Sequence, residues 1–234
     1  MRQIIAMGGG GFSMEPDNLL LDQYILSQVK SSQPKVCFIP TASGDSQGYI
    51  DRFYQSFEHL PCVPTHLTLF KNQPRNLEEF ILSKDILYVG GGNTRNMLVL
   101  WREWGLDQIL RTALDNGVIL AGLSAGAICW FEGGVTDSIP GELTGLKCLG
   151  LLAGSSCPHY DGESDRRSSY HRLLMDNKIG GGIALDDGVA AHYVDGRIHQ
   201  IVSSRPQAKA YFVSMTNHQV SESIHTPVYL GAQS

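Results

Sequence analysis

The stretch GVILAGLSAGAICWF, Gly117 to Phe131, decides how the rest of the chain is read. It opens as an apolar run suited to a buried strand, breaks at Gly122-Leu123-Ser124-Ala125-Gly126, and resumes over Ala127–Phe131 in a pattern that predicts a helix. A serine with glycine two residues away on each side matches Gly-x-Ser-x-Gly, the pattern of a nucleophile elbow. The requirement is steric: a sharp strand-to-helix turn strains the central residue, and only small neighbours avoid collision. Such a turn exposes the hydroxyl at the start of a helix, where backbone N–H groups can stabilise a developing oxyanion. A helix-capping serine in a glycine-rich turn is the plainer alternative.

The segments before it alternate strand and helix. QIIAM (Gln3–Met7) reads as a strand ending in Gly8–Gly11, NLLLDQYILSQVK as a helix, and KVCFIP as a buried strand ending in TASGDS. GYIDRFYQSFEHL predicts an amphipathic helix, THLTLF a strand, NLEEFILS a short helix, and DILYVGGG a strand running into glycines. NTRNMLVLWREWG and LDQILRTALDNG complete the helices before the elbow. This order predicts an α/β fold, a doubly wound and mostly parallel sheet with helices on both faces. Past Gly133 the chain reads as β-rich, with tight turns at Asp187-Gly188 and Asp195-Gly196, and the tail after Thr216 is weakly patterned and expected to be partly loose. No linker, repeat or low-complexity block divides residues 1–234, so a single domain is expected.

Bulk properties narrow the function. The 234 residues carry 42% hydrophobic and 18% charged side chains, as an ordinary folded protein does. The net charge of -5, with no basic run beyond Arg166-Arg167, argues against a nucleic-acid partner. The apolar segment before Gly8 is too short for a signal-peptide core or a membrane span. Five cysteines without a CxxC pair read as reduced thiols, and a cytoplasmic location is the matching expectation.

A serine nucleophile needs a base. Of the eight histidines, His159 stands out in SSCPHYDGESDRR, amid Asp161, Glu163, Asp165, Arg166 and Arg167. An extended HYDGE would set His159, Asp161 and Glu163 on one face, but no second ligand cluster accompanies them, and neither a metal nor another cofactor is expected.

Four landmarks occur in order: PTAS (Pro40–Ser43), YVGGGNT (Tyr88–Thr94), GLSAGA (Gly122–Ala127) and PH (Pro158-His159). Together they resemble the peptidase E family of serine peptidases, the S51 peptidases, which comprises aspartyl dipeptidases with cyanophycinases as relatives. The resemblance implies a fold similar to class I glutamine amidotransferases, which are flavodoxin-like, and cleavage of dipeptides with N-terminal Asp through an acyl-enzyme. It implies Ser124 as nucleophile, His159 as base, and an oxyanion hole from Gly91 or Gly92 with Ala125. The family's aspartate lies two residues before a proline; in VTDSIP that offset holds Ser138, and Asp137 is one residue earlier. Asp137 is the preferred third member, with a Ser–His dyad, Asp161, Glu163 or Glu142 as alternatives. For the substrate, Arg166 or Arg167 would meet a carboxylate, Glu163 or Asp161 the ammonium, and Asn93 is a candidate for hydrogen bonding it. The expected partner is a small peptide, with a homodimer left open. Hydrolysis of β-aspartyl peptides and a non-catalytic binding module are the rival functions, and a reactive Cys129 is a weaker one.

Overall fold

The computed structural model describes residues 1–231. It begins with β1 (Gln3–Met7), a four-residue helix α1 (Gly11–Met14) and α2 (Leu20–Ser27). Then come β2 (Lys35–Ile39), a 3-10 turn over Thr41–Ser43, α3 (Gln47–Phe57), β3 (Val63–His66), α4 (Leu77–Leu82) and β4 (Ile86–Val89). α5 (Thr94–Glu103) and α6 (Leu106–Asp115) lead into β5 (Ile119–Leu123) and the elbow helix α7 (Ala125–Ile128). The remainder is β6 (Phe131–Thr136), β7 (Thr144–Lys147), β8 (Leu152–Cys157), α8 (Arg166–Met175), β9 (Gly182–Leu185), β10 (Val189–Val194), β11 (Arg197–Ser203), β12 (Ala210–Thr216), β13 (Gln219–His225) and β14 (Val228–Tyr229).

The strands form two sheets. The larger runs β14-β11-β10-β1-β5-β4-β2-β3, and the five strands from β1 to β3 in that order are mutually parallel. The smaller runs β13-β12-β9-β8-β6-β7, with β6, β8 and β9 parallel. The β-rich sequence past Gly133 is shared between this second sheet and β10, β11 and β14, which extend the larger sheet beyond β1. The chain crosses between sheets at Asp186–Gly188, because β9 belongs to one and β10 to the other.

The period-two alternation of side chains in a strand explains why the larger sheet needs helices on both faces. Ile4, Ala6, Cys37, Ile39, Leu87, Val89 and Leu120 face one core with Trp101, Leu106 and Leu110 of α5 and α6. Ile5, Met7, Val36, Phe38, Ile86, Tyr88 and Ala121 face the other with Phe12, Ile25, Phe53 and Phe57 of α1, α2 and α3. The first core also takes in Phe131, Leu152, Ile183 and Leu185, so it spans both sheets. A third cluster packs Tyr170, Leu173 and Leu174 of α8 against Val135, Cys157, Ala184 and Val213.

Three local expectations change. The helix after the elbow ends at Ile128, and Phe131–Thr136 is a strand, because burial inside the second sheet outweighs the local pattern. THLTLF gives a strand only to His66, where backbone N–H groups of Leu69 and Phe70 turn to Asp45 Oδ2 at 2.6 and 2.9 Å. In the segment after Thr216, expected to be partly loose, Gln219–His225 pairs with β12 over seven residues, and residues 232–234 lie outside the described residues. That edge strand is exposed at most positions, which is why apolar patterning does not reveal it. The hairpin at Asp195-Gly196 has φ of 49° and 79°, the paired positive values of a tight two-residue turn.

Candidate active site

The site lies beyond the carboxyl ends of the parallel strands, where open α/β sheets bind ligands. Ser124 follows β5 with φ 54° and ψ -115°, a backbone conformation costly for any residue with a side chain. Its surroundings hold it there. Its N–H donates to the Met7 carbonyl at 3.2 Å, and its carbonyl accepts from Ala127 and Ile128 at 2.9 Å. A Cβ on Gly122 would lie 2.5 Å from the Gly126 carbonyl, and one on Gly126 would collide with the Val89 carbonyl. The two glycines therefore let the elbow press against β4.

His159 follows β8, in the other sheet, and also has a positive φ of 54°. Its N–H donates to the Gly8 carbonyl at 3.2 Å, which ties it to the turn after β1. Its Nδ1 lies 2.6 Å from Asp187 Oδ1, with both side chains mostly shielded from solvent. Asp187 sits in the crossover between β9 and β10 and is itself fixed, since its N–H donates to Asp161 Oδ1 at 2.8 Å. Gly9 and Gly162 line its carboxylate: a Cβ on Gly9 would collide with Oδ1, and one on Gly162 would lie 2.8 Å from Oδ2.

The acid beside the imidazole is thus Asp187, not Asp137. The sequence marked Asp187 only as a turn residue before glycine, and the turn reading concealed the carboxylate. Asp137 lies at the end of β6 and lines the cavity shared by Ser124 and His159. The alternatives fall elsewhere: Asp161 orients Asp187, Glu163 pairs with Arg166, and Glu142 pairs with Arg172 at 3.2 Å.

The cavity measures about 220 Å³ and is lined by Gly92, Asn93, Ser124, Asp137, Ser138, His159, Glu163 and Arg166. Arg166 is buried, with Nε 2.6 Å from Glu163 Oε2 and Nη1 donating to the Val135 carbonyl at 3.1 Å. Asn93 accepts from the Asn96 N–H at 2.8 Å as the cap of α5 and donates to the Ser138 carbonyl at 3.1 Å. Arg167 does not line this cavity; it pairs with Glu222 at 2.8 Å and covers the rings of Tyr160 and Tyr211. A second cavity of about 650 Å³ adjoins the first at Glu163.

The glycine turn Gly90–Gly92 faces the elbow, and a Cβ on Gly91 would come 3.3 Å from that of Ser124. Gly92 has φ 137° and presses on the Ala42 carbonyl, so it tolerates no side chain. Cys129 is fully buried, and burial pushes its thiol well above the usual range, so it packs the core and is not a reactive thiol. Among the described residues, no group of three or more His, Cys, Asp or Glu side chains could hold a metal ion. No helix there is long and apolar enough to cross a membrane.

Comparison with known proteins agrees with this architecture. The chain is 63% identical over 232 residues to the uncharacterized peptidase YgaJ of Bacillus subtilis, covering 99% of this chain and 100% of that one. The uncharacterized peptidase Lmo0363 of Listeria monocytogenes is 27% identical over 134 residues, 54% of this chain and 65% of its own. Two solved structures share the fold at 18% identity. A peptidase from an acI-B1 actinobacterium has a TM-score of 0.66, covering 97% of this chain and 95% of its own. A putative peptidase E protein from Listeria monocytogenes has a TM-score of 0.60, covering 97% and 100%. The model of peptidase family S51 matches residues 4–201, from the first strand through the elbow, His159 and Asp187, and the chain belongs to that family.

Proposed function

We propose that the protein is a serine-type peptidase of small peptides, acting through Ser124, His159 and Asp187. The observation that carries this reading is the 2.6 Å contact of His159 Nδ1 with Asp187, combined with a strained serine lining the same cavity as that imidazole. The carboxylate holds the proton on Nδ1 and leaves the Nε2 lone pair as the base. Nε2 takes the Ser124 proton as Oγ attacks the scissile carbonyl, and the oxyanion forms against backbone N–H groups of Gly92 and Ala125. The resulting imidazolium, stabilised by Asp187, gives its proton to the leaving amine. Water then attacks the acyl-enzyme, with His159 again as base, and Ser124 Oγ leaves with a proton.

The cavity lining supports a dipeptide with an acidic first residue. Arg166 is its guanidinium; with Nε on Glu163 and Nη1 on the Val135 carbonyl, Nη2 is the N–H group left to meet a side-chain carboxylate, and Asp137 and Glu163 supply negative charge for the α-ammonium. Because Glu163 is already paired with Arg166, Asp137 is the better anchor for the ammonium. The test is hydrolysis of Asp-Leu, Glu-Leu and Ala-Leu by the wild type and by Ser124→Ala, with intact mass after a fluorophosphonate. The expected result is cleavage of Asp-Leu above the others and an adduct on Ser124. Equal cleavage of all three peptides would reject the acidic preference, and neither cleavage nor adduct would reject the peptidase.

A further inference from the structure

Three consecutive glycines have wide conformational freedom, so a turn made of them needs anchors from outside. The N–H groups of residues 90–93 show where those anchors are. Gly90 donates to the Ile39 carbonyl at 3.1 Å and Asn93 to the Ala42 carbonyl at 2.7 Å. Gly91 donates to a side chain, Tyr49 Oη, at 3.2 Å. Gly92 N–H has no acceptor among the described residues, and Gly92 lines the cavity with Ser124.

Tyr49 comes from α3 and is buried. Its ring packs edge-on to Phe38 at 4.9 Å and lies under the turn, where a Cβ on Gly90 would be 2.9 Å from Cε1. Oη accepts from Gly91 and lies 2.7 Å from Ser13 Oγ, so its own hydrogen can go to that serine. Ser13 is on α1, which Asp22 secures by accepting from the Phe12 N–H at 2.9 Å. The hydroxyl thus joins the glycine turn after β1 to the one after β4.

We propose that Tyr49 is a positioning residue for the oxyanion hole. It captures the Gly91 N–H, fixes the peptide planes of the turn, and leaves the Gly92 N–H as the amide presented to the reacting carbonyl. Ser13 holds the Tyr49 hydroxyl in that orientation. This rests on the peptidase reading above, since it assigns a role within that reaction.

The test is Tyr49→Phe, which keeps the ring and removes the hydroxyl, with Ser13→Ala as a milder second variant. Misorienting one oxyanion donor should act on the transition state and not on the ground state. For Tyr49→Phe the expected result is a fall in kcat of about tenfold or more, with KM within about twofold and Tm little changed. The rate of fluorophosphonate labelling of Ser124 should fall in parallel, because that reaction uses the same hole. Ser13→Ala should lower kcat by roughly two- to fivefold with KM again unmoved. Wild-type kcat in Tyr49→Phe, or a loss that merely follows the unfolded fraction at the assay temperature, would overturn the positioning role alone. A wild type that cleaves no peptide and takes no label would overturn the peptidase reading and this inference with it.

Discussion

The two sheets contribute to the site in different ways. The larger sheet supplies Ser124 and the glycine turn from adjacent parallel strands, β5 and β4, and the geometry there is set by close backbone contact. The smaller sheet supplies His159, and the crossover from β9 to β10 supplies Asp187, 28 residues further along the chain. A strained serine can be built from a five-residue turn, whereas the imidazole and carboxylate that share its site are brought together by packing one sheet against another. The division also separates roles. In the proposed mechanism the first region supplies the hydroxyl and the backbone N–H groups, and the second moves the proton.

Substitutions on the two sides should separate these contributions. Ser124→Ala removes the covalent route and should lower kcat/KM by on the order of 10⁴-fold or more, measured on Asp-Leu, with no fluorophosphonate adduct. Asp187→Asn should be nearly as damaging, about 10³- to 10⁴-fold in kcat, because the imidazole loses the group that selects its tautomer. Asp137→Asn is the sharpest contrast. It should raise KM for peptides with a free N-terminus by roughly tenfold while kcat changes little, as expected for a binding charge. If Asp137→Asn lost kcat and Asp187→Asn did not, the acid would have been assigned to the wrong region.

Smaller effects concern stability. Asp22 is buried between Tyr88 Oη at 3.0 Å and the Phe12 N–H, and burial raises its pKa from 3.8 to about 7. Between about pH 4 and 7 the folded protein then keeps a proton that the unfolded chain has released, so this group lowers stability as pH rises, by up to about 4 kcal/mol. Asp186, raised to about 6 by burial, acts in the same direction up to that pH. His192 opposes them. Its pKa is lowered from 6.5 to about 4 by burial, so the unfolded chain binds the extra proton and stability rises through that window. Asp22→Asn removes one descending contribution, and urea denaturation at pH 5 and pH 7 should show stability rising more with pH, or falling less, than in the wild type. Arg167→Ala should change least, within about 1 kcal/mol of stability and with kcat/KM nearly unaltered, because its ion pair with Glu222 is partly exposed and neither residue lines the cavity.

Local spacing determined a good deal by itself. The apolar runs IIAM after Gln3, VCFI after Lys35, Ile86–Val89 and Ile119–Leu123 carry the parallel sheet, because a strand covered on both faces needs no polar residues along its buried length. The glycines flanking Ser124 announce the elbow, because the collisions they avoid arise within a few residues and with the adjacent strand. His159 stood out through the polar segment around it. Only the tertiary structure decided that Asp187 and not Asp137 meets the imidazole, that Arg166 turns inward while Arg167 turns out, and that Tyr49 takes the Gly91 N–H. Each of these depends on how distant segments pack, over separations of 28 residues for His159 and Asp187 and 42 for Gly91 and Tyr49. An aspartate before a glycine has the same local signature whether it merely turns the chain or also serves a histidine, and the difference arises only when the second sheet closes against the first.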